Sequence, residues 1–482
     1  MNVTVGAIAG MEGQETATLA GWARLADSAF WSGIWDMSWP LLLTTISCCF
    51  MDVIHVHIAG LLGPVAQATV GLCDQLLMLF VIFMGSVGVG ATAVVSRMFG
   101  AQRLQEAALA AAQALGLALF IGTALALIVS LASKAILPLV CGSQQMIDAG
   151  CAYLNLAGIY LIPFSLVSAT NALSRATGNA QAQLQIMLLM TTIDLLMNFL
   201  TVSVGWPVPD LGLKGIAVSA ITASTVASIL ALVQLRKSVL GESLRRFWSV
   251  SPSLIQRILR IGLPSSLQEL AWASSAFVFF SILSLAEHPT EALASWTIGI
   301  RMEAFVFLPL TALGLAVTAI VGHNIGANQM HRAWLAGWSV AWIGIALMIA
   351  AGTVLFVFAE PLAGLTSHNH RVVEFTANYL RINAVGEPFL ALEMILSGAL
   401  QGIGDTGVPM LISFVSNWVI RLPLAAYLVV RHGPSGAWFA MTASNVVSGL
   451  LIAWRFQSRR SWWVSSDSTP LTHSGPDRQT NY

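Results

Sequence analysis

Long apolar stretches separated by short polar breaks run almost the full length of the chain, each about 20 residues or more, enough for a helix to cross a roughly 30 Å hydrocarbon core. Counted this way, the pattern predicts twelve spans: 34–58, 67–96, 107–133, 146–173, 182–206, 214–237, 257–285, 291–321, 331–358, 371–400, 406–430 and 435–456. Six lie on each side of the most polar internal segment, 238–256, which holds Glu242, Arg245 and Arg246. That segment reads as a cytoplasmic linker between an N-lobe, 34–237, and a C-lobe, 257–456. Its Phe247 and Trp248 suit a membrane interface. Residues 1–33 lack a basic start, an apolar run and a cleavage site, and are read as a cytoplasmic N-terminal segment rather than a signal peptide. The tail 457–482, with its Ser, Thr, Pro and charge, is expected to be disordered and cytoplasmic.

The two halves repeat. Thr92 to Ala107, TAVVSRMFGAQRLQEA, returns 226 residues later as TAIVGHNIGANQMHRA, Thr318 to Ala333, and the same offset carries Gly88 onto Gly314 and Gly178 onto Gly404. Each half is therefore one structural unit. The repeated stretch joins spans two to three and eight to nine, with Gly100 and Gly326 expected as helix C-caps.

Composition agrees with the pattern: 56% of residues are hydrophobic and 9% charged, against about a quarter charged in a soluble domain. The predicted fold is all-α and integral to the membrane, twelve transmembrane helices in two pseudo-symmetric six-helix bundles. The formal net charge is zero, so nothing points to nucleic acid. Five cysteines, Cys48, Cys49, Cys73, Cys141 and Cys151, lie mostly within apolar stretches and read as buried small hydrophobes, not as disulfides or a metal site. With both termini cytoplasmic, one face holds 15 of the 22 Lys and Arg and the other only Lys134, Lys214, Arg371, Arg381 and Arg431, the bias that the positive-inside rule requires. An even number of spans per lobe gives both lobes one orientation and a pseudo-two-fold axis along the membrane normal.

The loops RMFGAQRLQEA and HNIGANQMHRA, the first span PLLLTTISCCFMDVIHVHIAGLLG, the turns SRATGNAQAQ and LQGIGDTGVPM, and IGLPSSLQELAW opening the seventh span together resemble the multidrug and toxic compound extrusion (MATE) family of exporters, over about residues 34–456. The resemblance implies two bundles facing each other across a cleft that opens alternately to either side. It implies export of small organic cations or amphipathic drugs in exchange for protons or sodium ions, from a bacterial-type inner membrane, by a monomer among membrane lipids. No cofactor beyond the coupling ion is expected.

Charge within a bilayer costs several kcal/mol, so acids inside spans are functional candidates. They are Asp52, Asp194, Glu269, Glu303, Glu387 and Glu393, with Asp74 nearer the outer end of span two, and two cations, Arg301 and Arg421. Internal ion pairing that fixes helix packing is the alternative role for any one of them. The resemblance carries Asp52 onto the family's ion-coupling acid of span one, and a carboxyl withdrawn from water is suited to hold and release a proton. Its neighbours His55 and His57 are read as marking the outer edge of the span. Asp194 and Asn198 lie four apart and share a helix face. Asn198 matches a family asparagine, whereas the position one turn later, acidic in some relatives, is Val202; Asp194, one turn before Asn198, is the candidate to stand in for it. Asn171 matches a polar family position of span four. Asp52, Asn171, Asp194 and Asn198 form the expected ion-coupling set, a pocket of carboxylate and amide oxygens suited to a proton or sodium ion.

In the C-lobe Glu269 falls on the family's span-seven acid, while the usual span-ten acid position holds Leu390, flanked by Glu387 and Glu393. Either could lie close to that position's face, but six residues turn a helix by roughly 240°, so the two should not both point straight at one ligand. Glu269, Glu387, Glu393, Arg301 and Arg421 are the expected substrate set, with the arginines also available as ion-pair partners for a remaining acid. Pro163, Pro309, Pro388 and Pro423 within spans permit kinks. A lipid-linked or polysaccharide-type flippase of related two-bundle fold would prefer a basic cavity, a dedicated metabolite exporter is a further alternative, and an enzyme would need clustered catalytic residues, of which no HExxH, nucleophile elbow or long soluble loop is found.

Overall fold

The structure, a computed structural model, describes residues 28–140, 143–204 and 212–459. Among them there is no strand, and twelve long helices account for nearly everything. In chain order these are α1 (Ser28–Leu61), α2 (Pro64–Gly100), α3 (Leu104–Val140), α4 (Gln144–Ala176), α5 (Ala180–Asn198), α6 (Leu213–Lys237), α7 (Pro252–Leu283), α8 (Pro289–Gly326), α9 (Met330–Val357), α10 (His370–Ile403), α11 (Gly407–His432) and α12 (Pro434–Ser458). Each coincides with a predicted span, extended at most ends. The first begins at Ser28 rather than at 34, which shortens the expected N-terminal segment, and α7 starts at Pro252, inside the expected linker. Residues up to 27, Cys141 and the tail from 460 lie outside the described residues.

The helix starts are written in local chemistry. Proline opens α2, α7, α8 and α12, where its missing N–H is one of the donors a helix leaves free anyway. The side chains of Ser143, Asn179 and Asn369 cap α4, α5 and α10 by accepting from the backbone N–H of Met146, Ala182 and Arg371.

Eleven of the twelve are long and apolar enough to cross a membrane; the exception is α10. It is long enough at 34 residues but carries Arg371, Glu374, Arg381, Glu387 and Glu393. Its length is buried within the C-lobe, where Tyr379, Leu380, Ile395, Leu396 and Leu400 join the core. A helix that meets protein on most sides has no need of a lipid-compatible surface.

α1–α6 form one bundle and α7–α12 the other. Small residues fill the seams: Ala91, Ala107, Ala110, Ala111, Ala114, Ala169 and Ala172 pack α2, α3 and α4 together. Close backbone approach of this kind is the main attraction between helices where lipid is as apolar as the side chains.

The lobes meet at the end carrying the 238–251 linker, here called the linker face. Arg97 at the end of α2 donates through Nε and Nη2 to the carbonyl of Gly402, at 3.0 Å each. His323 at the end of α8 donates through Nε2 to the carbonyl of Ala176, at 2.5 Å. The offset of 226 turns Arg97 into His323 and Ala176 into Gly402, so one latch is made twice, once from each lobe. Gln113 of α3 adds a clamp on the linker, donating to the Ser249 carbonyl and accepting from the Ser251 N–H. Farther in, Ser266 of α7 donates to the Ile82 carbonyl at 2.7 Å, and Met37 and Leu41 of α1 pack on Ala312, Ala316 and Ala319 of α8.

This closure corrects the expected role of Gly100 and Gly326. The left-handed residues ending α2 and α8 are Gln102 and Asn328, with φ of 59° and 57°, not the glycines. A Cβ on Gly100 would strike the His323 carbonyl and one on Gly326 the Arg97 carbonyl. The glycines are there because the two helix ends cross backbone to backbone.

Candidate functional site

Each lobe holds a buried polar cluster, built on equivalent helices. In the N-lobe, Asp194 on α5 is 1% exposed. Its Oδ2 lies 2.7 Å from Nε2 of His55 on α1 and accepts from Nδ2 of Asn198 at 3.1 Å. Asn198 also donates to the Asp194 backbone carbonyl at 3.0 Å, the expected sharing of one helix face. α5 then passes into a π-helical turn, Phe199–Val204, a distortion common at functional sites. Asp74 on α2 accepts from the Tyr153 hydroxyl on α4 at 3.1 Å. Asn171 is buried on α4, and its Oδ1, like Oδ1 of Asp194 and of Asn198, has no protein partner. Asp52 is exposed. It lies three turns beyond Leu41, on the face of α1 that meets the C-lobe lower down, which aims it into the space between the lobes.

The structure thus brings Asp194 and Asn198 together as expected and leaves Asp52 separate, at the cleft. It also adds His55, which the sequence reading set aside as a span-edge residue. α1 runs on to Leu61, so His55 lies well inside the helix and turned toward α5, while His57 is exposed.

In the C-lobe, Glu303 on α8 is 2% exposed and accepts from the Tyr379 hydroxyl on α10 at 2.6 Å. Tyr153 and Tyr379 are related by the same offset of 226, so each lobe has a tyrosine of its fourth helix donating to an acid of its second. Glu387, one turn beyond Asn383 on α10, is 3% exposed and leaves Oε2 unpartnered beside the Glu303 charge. Glu393 is only half-buried and lies close to Ser448, Ser413 and Arg421, and its charge acts on Glu269. The question left by the 240° rotation has its answer here: Glu387 belongs to the sealed group with Glu303, and Glu393 to the open one with Glu269. Glu269 is exposed and continues the stripe Ile258, Gly262, Ser266 by which α7 meets the N-lobe, so it stands where the lobe contact ends.

Arg421 departs from expectation. Its guanidinium donates to Ser444 Oγ at 2.8 Å and Asn445 Oδ1 at 2.7 Å on α12, and no carboxylate lies within ion-pair distance of it among the described pairs. Arg301 is exposed on α8, away from buried Glu303. A π-helical stretch, Val415–Arg421, carries Asn417, which donates to the Ser413 carbonyl at 2.8 Å and its Oγ at 3.3 Å. This repeats the Asp194–Asn198 arrangement with a hydroxyl in place of the acid. Among the described residues no group of His, Cys, Asp and Glu is arranged to hold a metal ion.

Comparison with known proteins gives a consistent picture. The family model MatE matches residues 40–200 and 264–427, one block in each lobe. "Probable multidrug resistance protein NorM" of Thermotoga maritima is 26% identical over 401 residues, covering 80% of this chain and 83% of that protein. Among solved structures, the Vibrio cholerae MATE transporter VcmN in its bent form superposes with a TM-score of 0.85 at 19% identity, over 91% of this chain and 99% of that one. A multidrug resistance MATE family transporter in an outward-facing conformation superposes with a TM-score of 0.82 at 21% identity, over 91% and 96%. At these identities the structural likeness establishes the two-bundle, twelve-helix fold.

Proposed function

Because the chain belongs to the MatE family of membrane transporters, we propose that it is a secondary active exporter that expels small organic cations or amphipathic drugs in exchange for protons or sodium ions. The two lobes, 34–237 and 257–456, act as rigid halves of an alternating-access machine. The observation that carries this reading is the pairing of a sealed linker face with acids set along the path between the lobes. Arg97 and His323 latch one end, while Asp52 and Glu269 lie exposed beyond the contact and Asp194 and Glu303 stay buried inside each lobe.

With the linker face cytoplasmic, this is the state open to the outside. In the inward-open state, ionised acids attract a cationic substrate; after the lobes rock, coupling ions entering from outside compete it off. A ligand drives such a cycle only by binding one state better than the other, and net charge moved across the membrane adds about 2.3 kcal/mol per charge per 100 mV. The test is efflux from reconstituted vesicles across a panel of organic cations, under separately imposed pH and sodium gradients. Efflux that follows one of the gradients is expected; conductance without counterflow, or efflux indifferent to both gradients, overturns the reading.

A further inference from the structure

We propose that His55 is an ion-coupling residue acting with Asp194, and that this pair makes the proton, not sodium, the coupling ion of this chain. The inference deepens the exporter reading above and depends on it.

The argument begins with what occupies Asp194. One carboxylate oxygen, Oδ2, already meets two nitrogens: the His55 ring at 2.7 Å and the Asn198 amide at 3.1 Å. Sodium, a hard cation, needs a shell of oxygens. The ring nitrogen and the amide take Oδ2, leaving Oδ1 as the one free carboxylate oxygen beside the amide oxygens of Asn171 and Asn198, and a charged imidazolium against the carboxylate would repel a metal ion from them. The position one turn after Asn198, which could have supplied a second carboxylate, is Val202. The same geometry suits a proton. Imidazole changes charge near neutral pH, which no other ordinary side chain does.

The charge states follow directly. With His55 neutral, its Nε2–H donates to Asp194 and the buried pair carries one uncompensated negative charge. Adding a proton to the free ring nitrogen, Nδ1, gives imidazolium against carboxylate with no net charge and breaks no existing bond. A buried ion pair with matched hydrogen bonds is tolerable where a lone buried charge is not. Proton binding therefore removes the negative charge that an organic cation would seek, which is the competition an antiporter requires.

The surroundings fit this role. Facing the pair are Asp74 from α2, held by Tyr153 of α4, Tyr160 of α4, and Asp52 on α1 itself; Lys214 at the start of α6 is exposed. Asp52, one turn before His55, places an exposed carboxylate between the cleft and the pair. His55 and Asp194 lie 139 residues apart on different helices, so protonation also sets how firmly α1 is held against α5.

The test uses the full chain with ethidium as the probe cation. Wild-type efflux from vesicles is measured under a pH gradient without sodium, and under a sodium gradient without a pH difference. Ethidium binding by purified protein is then followed from pH 5 to 9, with the protons released on binding counted in weak buffer, for the wild type and His55→Gln. Expected are efflux under the pH gradient alone and proton release by the wild type. His55→Gln is expected to lose that release, to show a flattened pH profile, and to retain efflux reduced on the order of a hundredfold. Wild-type efflux driven by sodium alone overturns the proposal, and so does a His55→Gln protein with an unchanged pH profile and proton release. If His55→Gln fails to reach the membrane, the wild-type ion dependence and proton count still decide. A wild type that moves no cation under either gradient defeats the exporter reading instead.

Discussion

The N-lobe and the C-lobe have nearly the same frame and different contents. Both end their second helix in a latch across the linker face, Arg97 in one and His323 in the other. Both set a tyrosine of the fourth helix on an acid of the second, Tyr153 on Asp74 and Tyr379 on Glu303. Both break the fifth helix with a π turn next to an asparagine that bonds back four residues, to Asp194 or to Ser413. What differs is the charge each frame holds. The N-lobe sets Asp194 against His55, a group whose charge can change. The C-lobe places Ser413 at the equivalent point and brings in Arg421, whose charge is permanent, held by Ser444 and Asn445, with Glu393 and Glu269 nearby. Duplication supplies the frame and the packing, and under the exporter reading proposed above a few substitutions divide the work, with ion exchange in the N-lobe and cation recognition at the C-lobe cleft.

The sharpest way to break this comparison is to neutralise the acid of each lobe. Asp194→Asn is expected to abolish gradient-driven efflux, a loss on the order of a hundredfold or more, because it removes the partner of a buried histidine. Glu303→Gln, which still accepts from Tyr379, is expected to keep most of it. Equal losses in vesicle efflux, with both proteins at wild-type level in the membrane, would end the division of labour.

The latch gives a smaller and more symmetric contrast. Arg97→Ala removes a charged donor with two bonds to one carbonyl and should cost the closed linker face about 1.5–3 kcal/mol; His323→Ala removes one bond and should cost about 1 kcal/mol. Accessibility of a cysteine placed at Ser96 to a thiol reagent reports both, and a larger effect from His323→Ala would reverse the ranking. Glu269→Gln should weaken binding of cationic compounds about tenfold and leave neutral ones unchanged, as expected for one partly solvated charge pair; equal loss for both classes would remove Glu269 from recognition. Last, a cysteine at Arg245 should label only from the cytoplasmic side without altering transport, and labelling from outside would invert the assigned orientation.

Much of the fold was legible because each span is punctuated by polar turns and the repeat fixes their order. Even α10, too polar to pass as a lipid-facing helix, stood out by its flanking breaks. The glycines of the repeated loop were misread as caps because sequence shows a helix ending but not a second helix crossing it. In the site, the shared face of Asp194 and Asn198 and the divergent directions of Glu387 and Glu393 followed from helical geometry alone. Which of those two glutamates meets the cleft depends on the rotation of α10 within its bundle, a tertiary property. His55 was missed for a local reason: placing the end of the span at 58 left it near an edge, where a histidine needs no explanation, whereas the helix continues to Leu61. The partners of Arg421 lie on α12, and the π-helical stretch that ends at Arg421 leaves no periodic trace in the sequence.

Rocking of the two lobes, with the linker face opening as the opposite face closes, is the central claim, and paired distances across both ends test it most directly. Spin labels at Arg103 and Gln329 report the linker face and labels at Leu61 and Leu285 the opposite one, in a background without native cysteines. As pH is shifted and an organic cation added, the two distances should change in opposite senses, one end opening as the other closes. Distances that stay fixed, or that lengthen together, would contradict it.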